Sequence, residues 1–244
     1  MFLAERFDAR AVTWFLRVFG LALVVDVATE LMTGVWQVHT GNFYPWRHLG
    51  IVPLYPATVL AIEWTLRVSA GLALLLGARQ PKVVAAAVRV GALALFAAVL
   101  QRYSNHGALL FLIALYLTIA PPDVTAKTFD DLPHPALGLV RAQLVIVYVF
   151  SALNKLTHGF SSGHSLMNLL GGRMALGPAR TLSWLALAAE LAAPLVLLRW
   201  PRAGLALVVA MHLGFSLLLP GIASFGLAMI AMALLFSRSP RRTL

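Results

Sequence analysis

Few of the 244 residues can do chemistry, and most of those that can are set in apolar runs. Gln143, Val147 and Ser151 recur at helical spacing with Asn154 or Lys155, and Tyr148 stands seven residues before Lys155. One helix face is thus partly polar and ends in an amine. The stretch NKLTHGFSSGH, at 154–164, then adds His158 and His164. An amine at the edge of an apolar pocket releases its proton more readily than one in water and becomes a competent proton acceptor. A lysine there can equally be an interfacial anchor, its stem along lipid and its ammonium among headgroups. His106, in YSNHG, opens another apolar run, and packing of the two helices would bring it to the depth of Lys155. His212 stands well inside VVAMHLGFSLLL, where a histidine serves as a hydrogen-bonding residue or lines a cavity.

Asp26, Glu30, Glu63, Arg67 and Glu190 also fall in apolar segments, where an ionisable group is costly and faces a partner or a polar cavity. Glu63 and Arg67 are four apart with the acid first, the order that favours a local ion pair. Asp26 and Glu30 lie one turn apart, an arrangement suited to proton transfer or to holding an Arg or Lys from another helix. Glu190, in LALAAELAAPLVLL, sits among alanines that permit close helix approach and reads as a packing hydrogen-bond partner. The chain has no cysteine and neither HxxxH nor HExxH spacing, His158 and His164 being six apart, so no metal site is expected.

The elements that must position these groups are membrane spans. Apolar residues make up 60% of the chain and charged ones 11%, far from the mix of a soluble domain. A bilayer core needs ~20 mainly apolar residues per helix. Eight stretches qualify: 11–33, 56–78, 83–101, 106–120, 136–156, 179–198, 202–219 and 221–237, the fourth and eighth being short. Prolines 56, 81, 121, 122, 135, 178, 201 and 220 fall at their boundaries, where a missing donor costs least. The expected fold is an all-α integral membrane protein, a single membrane domain over 1–244, with no repeat and no soluble second domain.

Eight spans put both termini on one side, and the basic residues test that arrangement. Arg6, Arg10, Arg79, Lys82, Lys127, Arg199, Arg202, Arg238, Arg241 and Arg242 fall on the terminal side, against Arg47, Arg102, Lys155, Arg173 and Arg180 opposite. Ten against five makes both termini cytoplasmic by the positive-inside tendency. The net charge of +10 is spread singly along helix ends rather than in a stripe, which speaks against a nucleic-acid partner. The outer loops, 34–55, 102–105 and 157–178, carry the aromatics, histidines, amides and hydroxyls of GNFYPWRHLG, QRYSNHG and NKLTHGFSSGHS. The N-terminus MFLAERFDAR lacks a small-residue cleavage site, so the first span is expected to stay as an anchor.

RAQLVIVYVFSALNKLTHGFSSGHSL resembles the signature helix and following loop of the vitamin K-dependent gamma-carboxylase family, also described as the horizontally transferred transmembrane domain. YSNHGALLFLIAL is similar to the family's Asn-His helix start, and MHLGFSLLLPGIASFGLAMIAMALLF to its His-containing penultimate and Gly-Phe final helices. Gly20 and Asp26 fit the first helix more loosely, and the likeness runs from about residue 15 to 237. It implies that Lys155 is the base that deprotonates a reduced quinone, with His106 and Asn105 as orienting groups. It further implies that Asn154, Tyr148, Ser151 and His212 line the quinone cavity. The quinol it implies is vitamin K hydroquinone or menaquinone-like, with oxygen and carbon dioxide as the expected co-substrates. In the family, reaction of the quinol with oxygen forms an epoxide and a strong base, which removes a glutamate γ-proton before carbon dioxide traps the carbanion. Animal members continue after the last span into a large extra-membrane domain, which is not expected in this chain. A peptide or protein acceptor, a lipid, or simple quinol oxidation are the expected alternatives.

Three classes of function follow. The first is a membrane enzyme of the plasma (inner) membrane, if bacterial, with its active site on the non-cytoplasmic side. The second is a non-catalytic module that binds lipid or quinone and anchors a partner protein. A transporter is the third, against which stands the lack of inverted repeats or paired broken helices.

Overall fold

In the computed structural model, residues 7–34, 57–101, 104–122 and 134–236 are described, and all regular structure among them is helical. Helix α1 spans Ala9–Thr33, α2 Ala57–Gly77, α3 Pro81–Gln101, α4 Asn105–Ile119 and α5 Pro135–Thr157. A 3-10 turn at Phe160–Ser162 and short α6, His164–Leu169, lead into α7, Leu176–Arg199, and α8, Pro201–Leu218. A second 3-10 turn, Pro220–Ile222, opens α9, Ala223–Leu234. The loop expected at 34–55 lies outside the described residues beyond Gly34, as do Arg6, Arg47, Arg102, Lys127, Arg238, Arg241 and Arg242.

The helix ends follow their sequence. Asp8 caps α1, its carboxylate accepting from the Arg10 and Ala11 amides at 2.8 and 3.0 Å, and Gly34 closes it at φ 69°. Pro135 and Pro201 occupy first-turn positions of α5 and α8, where the missing amide hydrogen has no partner to lose. Six helices are long and apolar enough to cross a membrane, namely α1, α2, α3, α5, α7 and α8, while α4 and α9 are shorter apolar helices. The chain is therefore a multi-pass helical membrane protein. Six of the eight expected spans coincide with these long helices to within a few residues, and the stretches expected at 106–120 and 221–237 hold the two shorter helices. The stretch 157–178, expected as loop, instead holds the 3-10 turn and α6.

Consecutive helices pack side by side from α1 to α5, α7 packs on α5 and α8, and α9 fills the middle, touching α1, α4, α5 and α8. Its buried face is Ser224, Gly226, Ala228, Met229, Ala231, Met232 and Ala233, small or pliable residues that let four neighbours approach. At one end of the bundle the Arg141 guanidinium lies over the rings of both Phe7 and Phe236, 5.6 and 4.1 Å from their centroids. Both ends of the described chain thus share that end. The chemistry-bearing residues lie toward the other.

Two antiparallel seams fix their heights. In the α1–α2 seam, a Cβ on Gly20 would stand 2.5 Å from the Gly71 carbonyl oxygen, and one on Gly71 2.6 Å from that of Gly20. Only glycine permits this approach, and it sets Asp26 level with Arg67. In the α4–α5 seam, Tyr116 donates to Gln143 Oε1 at 3.3 Å. At about 1.5 Å of rise per residue, that pairing brings His106 near the level of Lys155.

Candidate functional site

Two polar centres occupy the half of the bundle away from Phe7 and Phe236. The first is built on Arg67, 1% exposed. Its guanidinium bonds Asp26, donates to both Glu30 oxygens at 3.1 and 3.0 Å, and sets Nε 2.5 Å from Glu63 Oε1. The expected local pair of Glu63 and Arg67 is present, and of the two arrangements open for Asp26 and Glu30 the structure has the one that holds an arginine from another helix. Trp64 Nε1 adds a 2.6 Å bond to Glu30, and the Ser224 hydroxyl donates to Asp26 at 2.8 Å. The first turn of α9 is thereby tied to α1 and α2.

The second centre lies between α5, α7, α8 and α9. Lys155 turns inward and ion-pairs with Glu190 of α7, the two side chains 22% and 8% exposed, and donates to Ser151 Oγ at 3.0 Å. The Phe160 ring covers the amine at 5.4 Å. Two turns deeper on α5, the Tyr148 hydroxyl and His212 Nε2 are 2.9 Å apart, both residues buried. The His212 ring meets Phe225 edge-on at 5.7 Å. Phe225 follows Ser224 directly, so one turn of α9 touches both centres.

Glu190 stands fourteen residues into α7, roughly 21 Å along it at 1.5 Å per residue, whereas Lys155 is two residues from the end of α5. Their pairing therefore requires α7 to begin beyond α5. The left-handed glycines 159, 163, 171 and 172 turn the chain through that excursion. A Cβ on Gly163 would meet the Arg180 backbone nitrogen at 2.5 Å, which seats the excursion on α7. Pro194 lies one turn past Glu190 and cannot donate to its carbonyl, the place where a helix loosens or bends.

Three buried side-chain atoms near this centre have no hydrogen-bond partner among the described residues: Glu190 Oε2, His212 Nδ1 and Ser183 Oγ. Ser183 is 0% exposed and shares the inward face of α7 with Glu190, seven residues on. A buried polar atom left unpaired costs about 1–3 kcal/mol, so Glu190 Oε2 and His212 Nδ1, beside the two polar pairs, are positions where a polar group would be stabilising. An apolar cavity of about 270 Å³ opens along the α7–α8 seam, lined by Leu166, Leu182, Ala186, Met211, Phe215 and Leu218 among others. Ala189 and Met211, the residues beside Glu190 and His212, also line it.

Of the residues singled out in the sequence, Tyr148, Ser151, Lys155, Glu190 and His212 come together here. His106 is half-buried at the start of α4, at the same level. Asn105 and Asn154 are exposed, and the Asn154 carbonyl serves as acceptor for His158. His158 and His164 are exposed on the excursion. Ser183, Phe160 and Phe225 went unread in the sequence. Ser183 carried one signal, its spacing of seven from the lone acid of its span.

A helical bundle with an amine–carboxylate pair and a buried Tyr–His pair among its apolar helices is a multi-pass membrane domain with a polar centre. The chain belongs to the HTTM domain family, whose model matches residues 5–240, nearly the whole length. That domain is a membrane domain associated with vitamin K-dependent carboxylase. Comparison with curated proteins and with solved structures gives no match.

Proposed function

We propose that the protein is a membrane enzyme that acts on a reduced quinone of the vitamin K or menaquinone type with molecular oxygen. The observation that carries this reading is the Lys155–Glu190 pair set beside the buried Tyr148–His212 pair, with Glu190 Oε2 and His212 Nδ1 left for a ligand. A quinol fits such a place because it offers hydroxyls to unpaired buried acceptors and an apolar ring to Phe225 and Phe160. Its isoprenoid chain suits the apolar cavity between α7 and α8. Bound there, the quinol supplies the reaction with oxygen that yields an epoxide and a strong base.

The chain's own residues have simpler tasks. Lys155 is the base that removes a quinol proton, and Glu190 pairs with it inside a site where charge is weakly screened. Ser151 and Phe160 hold the amine in place, and Tyr148 orients His212. His106 borders the same level from α4. The acceptor in carboxylation, with carbon dioxide, is a peptide, protein or lipid group reaching the site from the excursion side. In this reading the chain crosses eight times with cytoplasmic termini and that side faces away from the cytoplasm, which the ten-to-five charge count and the shared end of Phe7 and Phe236 support.

Purified protein given reduced naphthoquinone and oxygen is expected to form the epoxide, and Lys155→Met to lose it. Identical product traces for the two proteins would overturn the proposal.

A further inference from the structure

Four arginines fall inside the expected spans, and the fold supplies company for two of them. Arg67 has its three carboxylates, and Arg141 lies over the Phe7 and Phe236 rings. Arg17 of α1 and Arg89 of α3 have neither a hydrogen-bond partner nor a carboxylate among the described residues, and Arg17 Nε is enclosed without an acceptor. Each stands eight residues past the first of its helix, about 12 Å along it at 1.5 Å per residue. Helix α3 has 21 residues, so its length matches the ~30 Å hydrocarbon layer, and the exposed Arg89 faces acyl chains rather than water. A guanidinium does not shed its proton there, so each of these two needs an anion.

The two helices carry one pattern. Along an outward face of α1 run Arg10, Trp14, Arg17 and Leu21, and along one of α3 run Lys82, Ala86, Arg89 and Leu93, at the same spacing. The Arg17 guanidinium lies 5.4 Å from the centroid of the exposed Trp14 ring. Tryptophan sits at headgroup level, so Arg17 starts one turn deeper and its stem can carry the charge back toward that level. Helices α1 and α3 run in the same direction, and a Cβ on Gly91 would lie 3.6 Å from Leu23 Cδ1, which makes those two residues level. Arg17 and Arg89 are six and two residues before that contact, roughly 9 and 3 Å toward the Phe7 end. Both charges therefore belong to one leaflet. With eight crossings, that half of the bundle holds thirteen basic and five acidic residues, and Asp8, one of the five, already caps α1.

We propose that Arg17 and Arg89 bind the phosphates of anionic phospholipids in the leaflet at the Phe7 end of the bundle. The paired N–H groups of a guanidinium match two phosphate oxygens. The exposed Leu21 and Leu93, one turn deeper, lie where the acyl chains would run. Arg10 and Lys82, two turns nearer the helix starts, meet the headgroup beyond the phosphate. An ammonium headgroup would face like charge there, whereas glycerol would not, which selects an anionic lipid over a zwitterionic one. The lipid supplies countercharge that the fold lacks, so its binding stabilises the protein.

The test titrates purified protein in neutral detergent with dioleoylphosphatidylglycerol, dioleoylphosphatidylcholine or sodium phosphate. Native mass spectrometry counts bound lipid, and thermal unfolding gives the midpoint. The variants are Arg17→Gln, Arg89→Gln, the two combined, and Arg202→Gln, an exposed arginine in the first turn of α8 that controls for lost charge alone. Wild type is expected to bind phosphatidylglycerol more tightly than phosphatidylcholine and to unfold at a higher midpoint with it. Each of Arg17→Gln and Arg89→Gln should lose about fivefold of that preference, and Arg202→Gln should keep it. Equal binding of the two lipids by wild type overturns the proposal without recourse to any variant. A combined variant with the wild-type preference overturns it too, as does a loss in Arg202→Gln as large as in Arg17→Gln. Sodium phosphate that reproduces the midpoint shift would make the ligand a free anion and contradict the lipid assignment.

Discussion

Arg67 serves three carboxylates from two helices, and its removal should be among the most damaging single changes in the bundle. In Arg67→Met the stem volume is kept, but Asp26 and Glu63, at 4% side-chain exposure each, lose the guanidinium, and so does Glu30 at 16%. Breaking a buried pair by removing one partner costs about 3–5 kcal/mol, because the other charge is left uncompensated. For a chain of this size each kcal/mol moves the midpoint by about 2–4 °C, so a loss on the order of 10 °C is expected. Asp26→Asn is the informative contrast. It leaves Arg67 with Glu30 and Glu63, and the amide oxygen can still accept from Ser224. Its loss should be a fraction of that for Arg67→Met. Thermal unfolding of both variants in detergent, followed by intrinsic tryptophan fluorescence, measures the difference. Equal midpoints, or Arg67→Met within about 2 °C of wild type, would refute the view that this cluster holds α1, α2 and α9 together.

Two further outcomes follow from the same packing. Gly71→Ala places a methyl 2.6 Å from the Gly20 carbonyl oxygen and should cost about 1–3 kcal/mol by forcing α1 and α2 apart; Gly177→Ala, with nothing within 4 Å, should be near neutral in the same unfolding assay. Burial holds the His134 imidazole below its ordinary value of 6.5, so the fold favours the neutral ring. The stability this contributes is complete above pH 6.5 and is lost as pH falls through the lower folded-state value. Unfolding midpoints should therefore drop on acidification in wild type, and His134→Gln should flatten that dependence.

The helices were legible because run length and boundary prolines are local signals. Pro81, Pro135 and Pro201 begin helices where the sequence says they should. Helix α6 was not, because HSLMNL is a six-residue element between glycines, too short for periodicity to register. The charged residues were legible as a set but not as partners. Asp26 meets Arg67 through the Gly20–Gly71 contact, and Glu190 meets Lys155 because α7 begins beyond the end of α5. Both facts depend on how helices slide past one another, which no spacing within one helix encodes. Lys155 read alone as an anchor, and only the overhang of α7 explains why its amine turns inward. The buried hydroxyl of Ser183 gave no warning of its position beyond its spacing from Glu190.

The central claim is that this centre joins a quinol to molecular oxygen. The direct measurement is reaction of the purified protein with reduced naphthoquinone under ¹⁸O₂, with mass spectrometry of the extracted quinone products. The account predicts an epoxide carrying one labelled oxygen, formed by wild type and lost in Lys155→Met. Unlabelled or absent epoxide, with the same oxygen uptake in both proteins, would contradict it.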